Sequence, residues 1–224
     1  MSPQSTDERY LRAIFQLQGL GDAVTTTALA RWLDVAPPSV SNRLRRLELA
    51  GLLDRGAGQL ALTDEGRRVA AAVVRRHRLI ETFLHRALGV PLHELHESAE
   101  ALQDGVSEQL AARMDDALGH PTHDPHGDPI PRVGEPEQEA WPEPLTHAPA
   151  GRWFAVTRIS DREPDAVAYL ASLGLTPGTR CFVVEHAPFG GPLWVELDGE
   201  RHALGDTLAN LVFGVVEPVR RVRP

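Results

Sequence analysis

The chain of 224 residues contains no lysine, and all 23 of its basic residues are arginine. That skew reflects a GC-rich coding sequence and assigns no mechanism. Cysteine is nearly absent. The lone thiol, Cys181, excludes an internal disulfide framework and fits a reducing compartment, and its strand-like surroundings make it a packing residue. No apolar run approaches the ~20 residues of a membrane-spanning helix, and residues 1–8 are polar, with no basic stretch leading into an apolar one. A cytoplasmic chain without membrane contact is expected. Nucleophile motifs and glycine-rich phosphate loops are missing too, which counts against an enzyme and a small-molecule substrate.

What is present suggests two or three small domains, each with its own core. The net charge of −8 hides a division along the chain. Residues 1–78 hold 12 arginines against 8 acids, a net +4, whereas residues 79–224 hold 11 against 23, a net −12. The basic excess lies at the amino-terminal end.

There, Ser5 followed by Glu8 resembles a capping box, and Leu11, Ile14 and Phe15 recur at helical spacing. Gly19 and Gly21 break this helix, and Thr25 or Thr26 caps a second one that buries Leu29, Ala30 and Leu33. Pro37 and Pro38 open a third helix, whose inward stripe is Val40, Leu44 and Leu47. Gly51 ends it, and residues 52–62 around Gly56, Ala57 and Gly58 read as a tight hairpin. Three helices and a hairpin make a winged helix-turn-helix. Such an arginine-bearing face is either solvated or DNA-reading; as a DNA reader the third helix would present Pro38, Ser39 and Asn42 to base edges and Ser41, Arg43 and Arg46 to phosphates, with Thr26 and Thr27 as further candidate contacts.

Thr63 caps a long helix to about residue 88, with Asp64 and Glu65 in its positive first turn. Val69, Val73, Ile80, Phe83, Leu84 and Ala87 give it more apolar surface than a small module covers, which suggests a dimer interface. A second helix over 91–104 and a third capped by Ser107 follow. Two histidine–carboxylate groups stand out here: His77 with Glu81, and His96 with Glu100 and Asp104. Ligands four residues apart share a helix face, so each group can offer two donors to one ion.

Between residues 120 and 150 there are eight prolines and no sustained periodicity, which predicts an extended connection. His120, His123 and His126, with Asp124 and Asp128, read there as a surface loop. Beyond residue 151 come strand-like runs at 153–159, 180–186, 193–197 and 211–216, a helix over 165–173, and Asp198-Gly199 as a hairpin turn. A small β-barrel is the economical expectation.

Over nearly its whole length the chain resembles the diphtheria-toxin-repressor family of iron- and manganese-dependent regulators. The carrying segments are Tyr10-Leu11-Arg12-Ala13-Ile14, Pro37-Pro38-Ser39-Val40-Ser41, Leu62-Thr63-Asp64-Glu65-Gly66, Arg76-His77-Arg78-Leu79-Ile80-Glu81 and Pro125-His126-Gly127-Asp128-Pro129-Ile130-Pro131. Leu173-Gly174-Leu175-Thr176-Pro177-Gly178 looks like the SH3-like module of ferrous-iron transport proteins. The resemblance implies a mainly α protein with small β parts: a winged helix-turn-helix over 1–66, a helical dimerisation and metal domain over 67–124, a proline-rich linker over 125–150 and an SH3-like barrel over 151–224. It implies a homodimer on a palindromic operator in double-stranded DNA, controlled by a divalent metal. Mn2+ is favoured, Fe2+ is possible, and Zn2+, Co2+ or Cd2+ serve as surrogates.

The same resemblance implies two ion sites. His77, Glu81 and His96 match the ancillary one, and Asp161 or Glu163 stands where the SH3-like module lends ligands. The other site draws on Glu100, Gln103, Asp104 and a first-helix position that here is Arg9. Since a cation cannot ligate a cation, that site is weakened, or Asp7 or Glu8 moves in, or Arg9 pairs with Glu100 and Asp104 in the ion's place. The rival readings are a winged-helix regulator sensing a small organic ligand, one with decayed metal sites, and a metal-dependent hydrolase using Glu81 or Glu100 as base.

Overall fold

The computed structural model describes residues 3–21, 23–55, 60–132 and 141–218. The predicted hairpin tip at Gly56, Ala57 and Gly58, and residues 133–140 of the proline-rich stretch, lie outside them. The chain divides into two compact units, one of residues 1–83, 99–122 and 129–141, the other of residues 84–98, 123–128 and 142–224.

The first unit opens with α1 (Pro3–Gly19), α2 (Thr26–Leu33) and α3 (Pro37–Leu49), then β1 (Leu53–Asp54) and β2 (Ala61–Leu62). α1 runs from Pro3, two residues ahead of the cap predicted at Ser5. Thr25 caps α2, its Oγ1 accepting from the Ala28 amide at 3.0 Å. Asp34 then turns the chain with φ +51°, and Pro37 begins α3. Leu11, Ile14 and Phe15 of α1 pack with Leu29 and Leu33 of α2, Val40, Leu44 and Leu47 of α3, and Leu53 and Leu62 of the antiparallel pair β1–β2. This is the expected winged helix-turn-helix.

α4 (Asp64–Leu88) is capped by Thr63, whose Oγ1 accepts from the Gly66 amide at 2.9 Å. A Cβ on Gly66 would lie 1.9 Å from the Leu52 carbonyl oxygen, so the helix begins directly against the wing backbone. α5 (Leu92–Gln103) and α6 (Glu108–Leu118) follow, the latter capped by Ser107 and ended by Gly119 in the left-handed conformation.

In the second unit, strands β3 (Glu143–Pro144), β4 (Arg152–Ile159), β5 (Arg180–His186), β6 (Leu193–Leu197), β7 (Glu200–Leu204) and β8 (Val212–Val216) form one antiparallel sheet in the order β3-β8-β4-β5-β6-β7. α7 (Pro164–Ser172) and the short α8 (Asp206–Ala209) accompany it. Phe154, Val156, Cys181, Val183, Val195 and Val212 fill its core with Val167 and Leu170 of α7. Asp198 and Gly199, both at positive φ, join β6 to β7 as the sequence predicts.

Candidate metal centre and nucleic-acid interface

On α3, Pro38, Ser39, Ser41 and Asn42 are exposed, as a base-reading face requires, and Thr27 on α2 is exposed as well. Thr26 is only part-buried beside the capping Thr25. Ser41 turns its hydroxyl back to the Pro37 carbonyl at 3.3 Å. The two arginines expected to hold phosphate are engaged inside the unit. Arg43 Nη1 donates to Asp7 Oδ1 at 2.7 Å, and Arg46 Nε lies 3.3 Å from Asp7 Oδ2. Arg45, which the sequence reading assigned no role, is exposed.

Within the first unit, His77 and Glu81 lie one turn apart on α4 and are only 3% and 1% exposed, with His77 Nε2 3.2 Å from Glu81 Oε1. An imidazole and a carboxylate sharing one buried face is the donor chemistry that a first-row divalent ion requires. The ring's other nitrogen is held from behind. Arg12 Nη1 lies 2.6 Å from His77 Nδ1, and Gln103 Oε1 lies 3.0 Å from the same atom. A guanidinium donates in every state, so Nδ1 accepts from Arg12; Gln103 then satisfies the same atom only with its amide nitrogen turned towards it. A neutral ring so held carries its proton on Nε2, beside Glu81.

Glu100 does not stand ready for an ion. It accepts a short hydrogen bond from Arg12 Nη2, and Arg9 Nε lies 3.6 Å from its other oxygen. Arg9 also donates to the Leu33 carbonyl at 3.1 Å. Arg9 thus pairs with Glu100, as one of the three alternatives had it, but shares that carboxylate with Arg12. Arg12, 5% exposed, is the principal partner of Glu100, and Asp104 is exposed just past the end of α5. Asp7 and Glu8 are committed elsewhere, to Arg43 with Arg46 and to Arg76. Burial pushes the Glu8 carboxyl above its ordinary value, although Arg76 opposes the rise. This second donor set does not fit a cation, because two guanidinium groups already lie against its carboxylate.

In the second unit, His96 Nδ1 lies 2.9 Å from Asp161 Oδ2, while Glu163 is exposed and directly precedes α7. Asp124, His126 and Asp128 are buried, which overturns their reading as a surface loop; His120 and His123 are exposed. Backbone closure explains the burial. Asp124 Oδ1 accepts from the Asp128 amide at 2.8 Å, His126 Nε2 donates to the Leu92 carbonyl at 3.0 Å, and the Ile159 amide donates to the His126 carbonyl at 2.9 Å. Arg158, admitted to the interior by a bulge in β4, pairs with Asp128. Prolines hid this compact turn from periodicity arguments, and Pro129 and Pro131 give their carbonyls to Arg78 and Arg75 in the first unit. Cys181 offers no thiolate: burial pushes it up to about 11.

The comparisons with known proteins match this arrangement. A family model described as the iron dependent repressor, N-terminal DNA binding domain covers residues 4–56, and that repressor's metal binding and dimerisation domain covers residues 63–132. The chain belongs to the iron-dependent repressor family. A FeoA domain matches residues 143–216, the SH3-like module of this regulator. It is 36% identical over 223 residues to the iron-dependent repressor IdeR of Mycobacterium tuberculosis, covering 92% of this chain and 95% of that protein. A manganese-dependent transcriptional repressor solved in complex with manganese superimposes with a TM-score of 0.87 at 38% identity, over 94% of this chain and all of that one. The repressor ScaR with bound Zn2+ gives a TM-score of 0.80 at 31% identity, over 93% and 98% of the two chains. The regulator is a metal-dependent DNA-binding protein and not an enzyme. No helix among the described residues is long and apolar enough to cross a membrane.

Proposed function

We propose that the regulator is a homodimeric repressor of manganese or iron homeostasis genes that reads a palindromic operator and answers chiefly to Mn2+, with Fe2+ as the alternative. The observation that carries this reading is the buried His77–Glu81 pair, whose donor atoms are 3.2 Å apart. His96 is the proposed third donor, with Asp161 against its ring as a fourth donor or an orienting carboxylate. Imidazole and carboxylate without sulfur suit Mn2+, Fe2+ and Zn2+, with availability deciding among them. Glu100, Gln103 and Asp104 are assigned to no second ion.

A bound divalent ion would supply coordination bonds that tie its donor side chains together. For that, the ring proton would move from Nε2 to Nδ1, where Gln103 Oε1 at 3.0 Å can accept it, and Arg12 would leave Nδ1 and keep Glu100. Because Arg12 lies on α1, the His77 ring joins α4 directly to the winged helix-turn-helix. A twofold dimer reads a palindrome only when its recognition helices stand about one DNA turn apart, near ~34 Å, or a multiple of it. Ligand control of that spacing requires tighter binding in the competent arrangement.

A mobility-shift titration of an operator duplex across Mn2+, Fe2+, Zn2+ and Co2+ tests the proposal. Mn2+-dependent retention that disappears in His77→Ala and Glu81→Ala is expected. Equal retention after exhaustive chelation would sink it. Native mass spectrometry should count one ion per chain; a second ion, lost in Glu100→Gln, would overturn the assignment of Glu100 to Arg12.

A further inference from the structure

The Asp7 carboxylate meets two arginines of α3 at once, one with each oxygen: Arg43 Nη1 at 2.7 Å and Arg46 Nε at 3.3 Å. Two oxygens sharing one charge across a pair of guanidinium groups is also how a phosphodiester is held. Arg43 and Arg46 are three residues apart on one face of the recognition helix, so a DNA phosphate and Asp7 would require the same donors. Asp7 is part-buried, as is Arg43, so this pair is less screened than an open surface contact.

We propose that Asp7 is a built-in competitor for DNA phosphate, which occupies Arg43 and Arg46 in the free protein and must be displaced before they reach the duplex backbone. The inference rests on the reading that α3 faces DNA. Asp7 lowers affinity for every sequence equally, because a phosphate contact carries no base information. It therefore sets how tightly the regulator holds DNA without altering which operator it prefers. The neighbouring residues give the contact a second consequence. Glu8 pairs with Arg76 of α4, and Arg12 binds His77 of α4 and Glu100 of α5. A shift of α1 at the His77 end is felt at Asp7, so α1 links the proposed metal donors to the phosphate-binding arginines.

The test is Asp7→Asn, an isosteric change that removes the charge, measured on operator and unrelated duplexes at several salt concentrations in saturating Mn2+. Affinity is expected to rise several-fold on both duplexes, with their ratio unchanged. Because the same arginines reach phosphate in both complexes, the dependence of log affinity on log salt should change by less than the ~0.9 of one phosphate contact. Asp7→Ala, checked by circular dichroism, should behave the same way. In Arg43→Ala/Arg46→Ala, the Asp7→Asn change should have no effect. Unchanged or weaker binding in Asp7→Asn would show that the carboxylate does not compete with phosphate and would overturn the proposal. Failure of the underlying reading looks different: the wild-type protein would then bind no duplex, or Arg43→Ala/Arg46→Ala would leave binding unaltered.

Discussion

Arg158 is 2% exposed and faces Asp128, which is 4% exposed. Removing one member of a buried pair strands the other charge in a poorly solvated site, at about 3–5 kcal/mol. Arg158→Met should lower the free energy of unfolding by that amount in urea titrations, and Arg158→Met/Asp128→Asn should recover part of the loss. A midpoint within error of wild type would show that the pair is not structural. Gly127 sits in the same turn at φ +86°, where a Cβ would lie 1.9 Å from the Thr157 carbonyl oxygen. The glycine is thus required twice, by conformation and by space. None of this was legible in a stretch read as linker. Arg12 escaped notice for a related reason: Arg9 and Arg12 are one turn apart on α1, and the sequence does not say which guanidinium reaches Glu100. Both do, Arg12 from a buried position and Arg9 from a half-exposed one.

Among the elements, the helices of the first unit follow from the sequence almost directly, since 3.6-residue periodicity and cap chemistry act over a few residues. Thr25, Thr63 and Ser107 each accept from the amide three residues on, as expected of caps. Thr25→Ala should cost about 1 kcal/mol in thermal or chemical unfolding. A change below the measurement error would mean that Thr26 or water replaces the cap. Strand β7 was not foreseen. Its sequence, Glu200-Arg201-His202-Ala203-Leu204, has little strand character, and pairing with β6 across the Asp198–Gly199 turn imposes its conformation. β3 and α8 went unseen likewise, each being too short to show a period.

For the whole molecule, the apolar surplus of α4 was expected to mark a dimer interface. Val73, Ile80 and Leu84 are buried within the chain itself, whereas Val69 and Phe83 are part-buried and Ala87 is exposed. Within the segment matched to the dimerisation domain, the exposed large apolar residues include Leu102 and Leu110, at 48% and 41%. Leu102→Glu and Leu110→Glu should each shift sedimentation towards the monomer and weaken operator binding with it. A dimer that survives both would move the interface elsewhere.

The sequence by itself determined whatever depends on separation along the chain: helix phases and caps, the hairpin turn, and the His77–Glu81 donor pair one turn apart. Only the tertiary structure decided which charges confront each other across 36 or 88 residues, setting Asp7 against Arg43 and Arg12 against Glu100. Coulomb attraction and desolvation depend on distance and burial in space, and neither quantity is written in the order of the residues.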